Sequence, residues 1–167
     1  NKLISVDEFL NTEDSNYNYG SFDIGISLNS NVVKKICSME KIWSIAKKYL
    51  NSDKVKIYSI NTMLTKKSEI KNYVVNLHVD FDCANMLTFF VYWTDVSDVN
   101  GATRVLPGSH LFLHDRRLAS YVSKPLTKYL EGKSGSVFAL DTWALHAGNP
   151  NITSPRLVTW IRFSSLP

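Results

Sequence analysis

With two cysteines, five prolines and seven glycines in 167 residues, the chain is poor in the residues that staple, break or loosen a fold. Cys37 and Cys83 are too few for a disulfide framework and lack the paired spacing of a zinc site, so reduced thiols are expected. No stretch is low in complexity and no internal repeat is present, which sets aside disordered and solenoid readings. The longest nearly uncharged apolar run, MLTFFVYW at 86–93, is far shorter than the roughly 20 residues a membrane-crossing helix needs, and no membrane partner is expected. The opening NKLISVDEFL has no basic-then-apolar leader, so a cytoplasmic location is the expectation. The net charge of +4 and pI near 9.0 come from scattered lysines that are not interleaved with aromatics, a pattern that argues against a nucleic-acid stripe.

What is abundant is apolar surface. At 44% hydrophobic residues the chain is long enough for one packed core and short for two, so residues 1–167 are expected to form a single domain, with a helical part over about 1–52 and a β core over about 54–167. SVDE at 5–8 has the form of a capping box before a short helix, and the next ten residues look like a loop. From about Asn31 to Leu50, Val32, Ile36, Met39, Trp43, Ala46 and Leu50 recur at steps of three and four, which predicts one helix packed on a sheet. After Asn51-Ser52-Asp53 the texture becomes β: KVKIYSINTML, YVVNLHVDFD and MLTFFVYW, then turns at Asn100-Gly101 and Pro107-Gly108, a polar connection after His110, and strands in GKSGSVFALDTWALHAGNP and SPRLVTWIRF. Helices followed by turn-linked strands predict a mainly antiparallel β domain, a sandwich or jelly roll.

Within NLHVDFD, His78 and Asp80 are two apart. On a strand their Cα atoms stand about 7 Å apart on one face, close enough for an imidazole and a short carboxylate to meet at one ion, whereas on a helix they diverge. Leu77, Val79 and Phe81 are then expected on the core face, with His78, Asp80 and Asp82 on the other. An HxD pair alone is a weak signal, and a distal ligand decides. His146 stands at the end of the strand-like SVFALDTWAL, whereas His110 and His114 fall in turn or polar loop. Two histidines and one carboxylate are the facial triad of non-haem Fe(II) sites, which leaves positions open for cosubstrate and O2. Zinc with the same ligands stays open at this point, but it has no need of Arg156. That arginine shares a strand face with Val158, Trp160 and Arg162, and its planar fork needs an anion no nearby acid supplies.

These motifs, in this order, resemble the phytanoyl-CoA dioxygenase-like (PhyH) branch of the Fe(II)/2-oxoglutarate-dependent oxygenases. The resemblance runs through NTML (61–64), HVD (78–80), TFFVYWTD (88–95), NGATRVLPGSH (100–110), GKSGSVFALDTWALHAGNPN (132–151) and SPRLVTWIRF (154–163). It implies a double-stranded β-helix with N-terminal helices on the sheet, and iron held by His78, Asp80 and His146. It also implies that Arg156 grips the distal carboxylate of 2-oxoglutarate while Met63 and Trp93 line the cosubstrate pocket. The activity implied is O2-dependent decarboxylation of 2-oxoglutarate to succinate and CO2, coupled to hydroxylation of a small molecule. Relatives that halogenate lack the carboxylate ligand, so Asp80 favours hydroxylation. Gly148 stands where relatives often carry a small hydroxyl residue. Two other readings accompany this one: an AlkB-like nucleic-acid demethylase, suggested by the paired Arg156 and Arg162, and a non-catalytic jelly-roll binding protein.

Overall fold

The architecture follows from where runs of β-branched and aromatic residues fall. The computed structural model describes residues 22–23, 30–65, 68–69, 76–111, 126–149 and 151–165. Its elements are β1 (Phe22–Asp23), α1 (Asn31–Cys37), α2 (Glu40–Leu50), β2 (Lys56–Thr65), β3 (Ser68–Glu69), β4 (Met86–Tyr92), β5 (Arg104–Val105), β6 (Lys128–Tyr129), β7 (Val137–Leu140), β8 (His146–Ala147), β9 (Asn151–Ile152) and β10 (Arg156–Ser164). A five-stranded sheet runs β1-β2-β10-β4-β7, a three-stranded sheet runs β6-β5-β8, and β3 pairs with β9. Among the described residues every pairing is antiparallel. The expected jelly roll with helices on the sheet is therefore present. The short helix expected from the capping box at 5–8, the loop after it, and most of the polar connection, His114 included, lie outside the described residues.

β10 lies at the centre, paired along its length with β2 and β4, and its alternation sorts the core into two clusters. Leu87, Phe89, Val91, Ile161 and Phe163 face the helices, where Ile42, Ala46 and Leu50 of α2 cover them. Phe90, Tyr92 and Val158 face the other way and pack with Val96, Ala102, Val105, Leu140 and Ala144, so the second cluster fills the space between the two larger sheets. Burying each large apolar side chain of this kind contributes roughly 1.5–3 kcal/mol. Thus β10 is the wall between helix layer and interior, and residues 156, 158, 160 and 162 all look into the interior.

The single helix expected over Asn31–Leu50 is two. Ser30 caps α1 by accepting from Val33 N, and α1 ends where Ser38 N and Oγ reach back to the carbonyls of Lys34 and Lys35. The Cys37 carbonyl accepts from the Trp43 indole at 2.6 Å, so a polar group freed by the break is satisfied by the next helix. The break turns the apolar face: Val33, Ile42, Ala46 and Leu50 are buried, whereas Val32 and Met39 are exposed. α2 closes at Asn51 in the left-handed region (φ 48), a conformation asparagine tolerates.

YVVNLHVDFD also departs from expectation. Residues 76–82 form no continuous strand: His78 pairs with His146 as an isolated bridge, and Asp80 N donates to Thr142 O. Its partner segment leaves β7 in a turn closed by Ala144 N donating to Asp141 O, so no regular ladder is available to pair with. Phe81 consequently does not join the core face. It is 52% exposed and meets Trp143 edge-on at 5.1 Å between centroids.

Candidate metal centre and its surroundings

His78 and His146 are clamped backbone to backbone: each N–H donates to the other's carbonyl at 2.9 Å, and the rings stand 4.5 Å apart. Asp80 completes the group, its Oδ1 lying 3.8 Å from Nε2 of both histidines. One ligand atom from each residue falls within 4.8 Å of the others. Side chains that bind at about 2 Å from a shared ion stand roughly 3 to 3.5 Å apart, so only a small inward movement is needed.

The backbone also fixes the tautomers. Nδ1 of His78 lies 2.9 Å from the Asn76 carbonyl and Nδ1 of His146 lies 2.9 Å from the Ala144 carbonyl. A carbonyl only accepts, so each Nδ1 carries the proton and each Nε2 presents a lone pair. Burial holds His146 below the usual imidazole range, with the Asp80 charge working the other way, which keeps the ring neutral and able to ligate. Three acceptors, two imidazole nitrogens and a carboxylate oxygen, therefore face one another with no donor among them. Such a set repels itself unless a cation or proton sits between, and the donor set of two imidazoles and one carboxylate suits Fe(II).

His146 owes its place to β5. Val105 pairs with His146, and Leu106 N donates to Leu145 O at 2.8 Å before the chain turns away at Pro107-Gly108. Where that turn removes the next backbone acceptor, Ser109 Oγ accepts from Leu145 N at 2.7 Å and donates to Leu106 O at 2.7 Å. Ser109 and the Thr142 carbonyl are site-building groups to which the sequence alone assigns no role; the Ser of Pro-Gly-Ser-His reads as part of a turn and of the family motif, not as a support for His146.

Arg156 is buried at the start of β10, opposite Thr65 of β2. Its Nη1 donates to the Gly101 carbonyl, and among the described residues its Nε has no hydrogen-bond partner and no carboxylate pairs with it. Gly101 presents that carbonyl at φ 101, in a turn where the Asn100 side chain accepts from Ser97 N and donates to Asp95 O, so the Asn-Gly signal is the mount for this contact. A guanidinium so placed carries uncompensated charge, which burial disfavours. The distal carboxylate of an extended dicarboxylic acid meets that need.

Met63 pairs across β2 and β10 with Val158, packs with the interior cluster, and shares the Arg156 face. Trp93 does not. It packs against the helix-side cluster, and its indole donates to Thr159 Oγ1 at 2.7 Å, which in turn meets Thr62 Oγ1 at 2.7 Å. At Gly148 a side chain would meet nothing within 4 Å, so the missing hydroxyl leaves open space. His110 lies half-buried in a 3-10 turn, and Arg162 shares the inner face of β10 but pairs with Asp82.

The sequence profile of the family described as Phytanoyl-CoA dioxygenase (PhyH) matches residues 9–157. Among solved structures the chain is similar to EctD from S. alaskensis with 2-oxoglutarate and 5-hydroxyectoine (22% identity over 83% of this chain and 54% of that one, TM-score 0.67). It is similar also to the non-heme alpha ketoglutarate dependent epimerase SnoN from nogalamycin biosynthesis (19% identity, 82% and 57%, TM-score 0.63). A third likeness is to HygX from Streptomyces hygroscopicus with nickel, 2-oxoglutarate and hygromycin B bound (17% identity, 81% and 65%, TM-score 0.59). The chain thus spans little more than half the length of the first two. No curated protein sequence matches it. Among the described residues no helix is long and apolar enough to cross a membrane.

Proposed function

The chain belongs to the phytanoyl-CoA dioxygenase (PhyH) family of Fe(II)/2-oxoglutarate oxygenases, and from that premise we propose that it hydroxylates a small molecule with conversion of 2-oxoglutarate and O2 to succinate and CO2. The observation that carries the proposal is that, among the described residues, a cluster of three acceptors meets no donor and a buried guanidinium meets no acid. Bound Fe(II) supplies the O2 chemistry. The chain's own residues do the rest: His78, Asp80 and His146 hold the ion, and the Asn76 and Ala144 carbonyls hold the two Nδ1 protons so that both Nε2 atoms ligate. Arg156 takes the distal carboxylate of the cosubstrate while Gly101 fixes the guanidinium plane. Met63, Val158 and Tyr92 wall the cosubstrate off from water. Asp80 fills the position a halide would need, which supports hydroxylation over halogen transfer.

The test is direct. Under nitrogen, adding 2-oxoglutarate to Fe(II)-loaded protein should raise a weak visible charge-transfer absorption, lost in His146→Ala, and admitting O2 should release succinate. Iron-replete protein that gives neither signal would defeat the assignment.

A further inference from the structure

Arg156 and the triad leave one group on the inner face of β10 without a task. Arg162, six residues on, places its guanidinium carbon 5.2 Å from the centroid of the Trp160 ring. Its Nη1 donates to Asn61 Oδ1 at 3.0 Å, and its Nε lies 3.6 Å from Asp82 Oδ2. That separation is too long for a hydrogen bond; an optimised arginine–carboxylate pair closes to about 2.7–2.9 Å through two parallel bonds. Among the described residues, neither Arg162 Nε nor the neighbouring Trp160 indole N–H, both buried donors, has a hydrogen-bond partner. The pair is also lopsided, since Arg162 is 16% exposed and Asp82 49%, so the cation lies inside and the anion at the rim, two residues beyond Asp80.

Charge decides what would fit. With a divalent ion, Asp80, dianionic 2-oxoglutarate and Arg156, the inner site is balanced; Arg162 and Asp82 balance each other. A substrate with net charge of either sign upsets this; an uncharged one leaves it balanced but offers no anion to the unfilled Arg162 Nε and Trp160 donors, whereas one carrying both signs adds no net charge and meets the cation and the anion at once. Resting on the oxygenase reading above, we propose that Arg162 and Asp82 form the substrate subsite, and that the substrate is a small zwitterion whose carboxylate meets Arg162 and the Trp160 indole N–H while its ammonium meets Asp82.

The experiment uses protein loaded with Zn(II) and saturated with 2-oxoglutarate, so that nothing turns over. The probes are free amino acids with small, aliphatic, aromatic and basic side chains, each compared with its methyl ester and its N-acetyl derivative. The readout is the Trp160 indole N–H resonance, assigned with Trp160→Phe. At least one free amino acid should shift it and bind about tenfold or more tightly than both derivatives. In Arg162→Gln the advantage over the ester should vanish, and in Asp82→Asn the advantage over the N-acetyl form should vanish. No response to any free amino acid, or equal response to all three forms, overturns the proposal. So does an Arg162→Gln protein whose 2-oxoglutarate midpoint moves as far as that of Arg156→Gln, which would assign Arg162 to the cosubstrate. Wild-type protein that binds no 2-oxoglutarate at all defeats the oxygenase reading instead, and the two failures are thereby separated.

Discussion

Arg156 donates to the carbonyl of Gly101, 55 residues away, and among the described residues that carbonyl stands where a charged partner would be expected. A neutral dipole does not compensate a buried cation, so the ligand-free protein carries the cost of this residue. Arg156→Met, similar in length and without charge, should therefore leave ligand-free stability unchanged or raise it by about 1 kcal/mol in urea unfolding. The same variant should need roughly 10- to 100-fold more 2-oxoglutarate, the loss expected for a charged hydrogen-bonded pair. A variant that unfolds several kcal/mol more easily yet binds 2-oxoglutarate normally would show Arg156 to be structural.

Ser109 carries a smaller load that reaches the metal. Its hydroxyl is the acceptor for Leu145 N, one residue before His146, and Ala in its place leaves that buried N–H unpaired at a cost of about 1–3 kcal/mol. Because Leu145 sets the entry to His146, Ser109→Ala should also weaken divalent-metal affinity, by roughly tenfold on the scale of supporting residues around metal ligands. Calorimetric titration with Mn(II) checks it; loss of stability at unchanged affinity would confine Ser109 to the fold.

Much of this was legible in the residues, and the misses have physical causes. β4 and β10 announce themselves as unbroken runs rich in β-branched and aromatic residues, and HxD followed by a distal His survives any uncertainty in register. The resemblance implies that Trp93 lines the cosubstrate pocket, but a matching motif does not tell which face of a strand is inside; α2 covers Phe89 and Val91, and Trp93 packs with them. NLHVDFD reads as a strand, yet a strand needs a straight partner, and residues 141–144 turn. The helix break at Ser38 is equally hidden, since it is the Trp43 indole that satisfies the freed carbonyl, a contact no local pattern encodes.

Gly101 tests the mount beneath the arginine. At φ 101 a side chain is strained, and Gly101→Ala should cost about 1–3 kcal/mol, seen as a lower urea midpoint at constant slope. The carbonyl it presents to Arg156 should shift with the turn, so the 2-oxoglutarate midpoint should rise, by less than in Arg156→Met because the charge remains. An unaltered midpoint would show that the guanidinium is held by its own strand and not by the turn.

Asp80→Asn separates repulsion from ligation. In the metal-free protein Asp80 Oδ1 faces two Nε2 lone pairs at 3.8 Å, and an amide in its place can turn an N–H donor toward one of them. Stability in chelator should therefore hold or rise by up to about 1 kcal/mol. Metal should act in the opposite sense: Mn(II) at a hundredfold excess over its dissociation constant should stabilise the wild type by about 2.7 kcal/mol, and at the same concentration should stabilise Asp80→Asn far less, because a neutral amide is a poor ligand beside two neutral imidazoles. Urea unfolding of both proteins, with chelator and with Mn(II), gives the four values. If Asp80→Asn is weaker in chelator and gains as much from Mn(II) as the wild type, then the carboxylate holds the loop and some other group holds the ion.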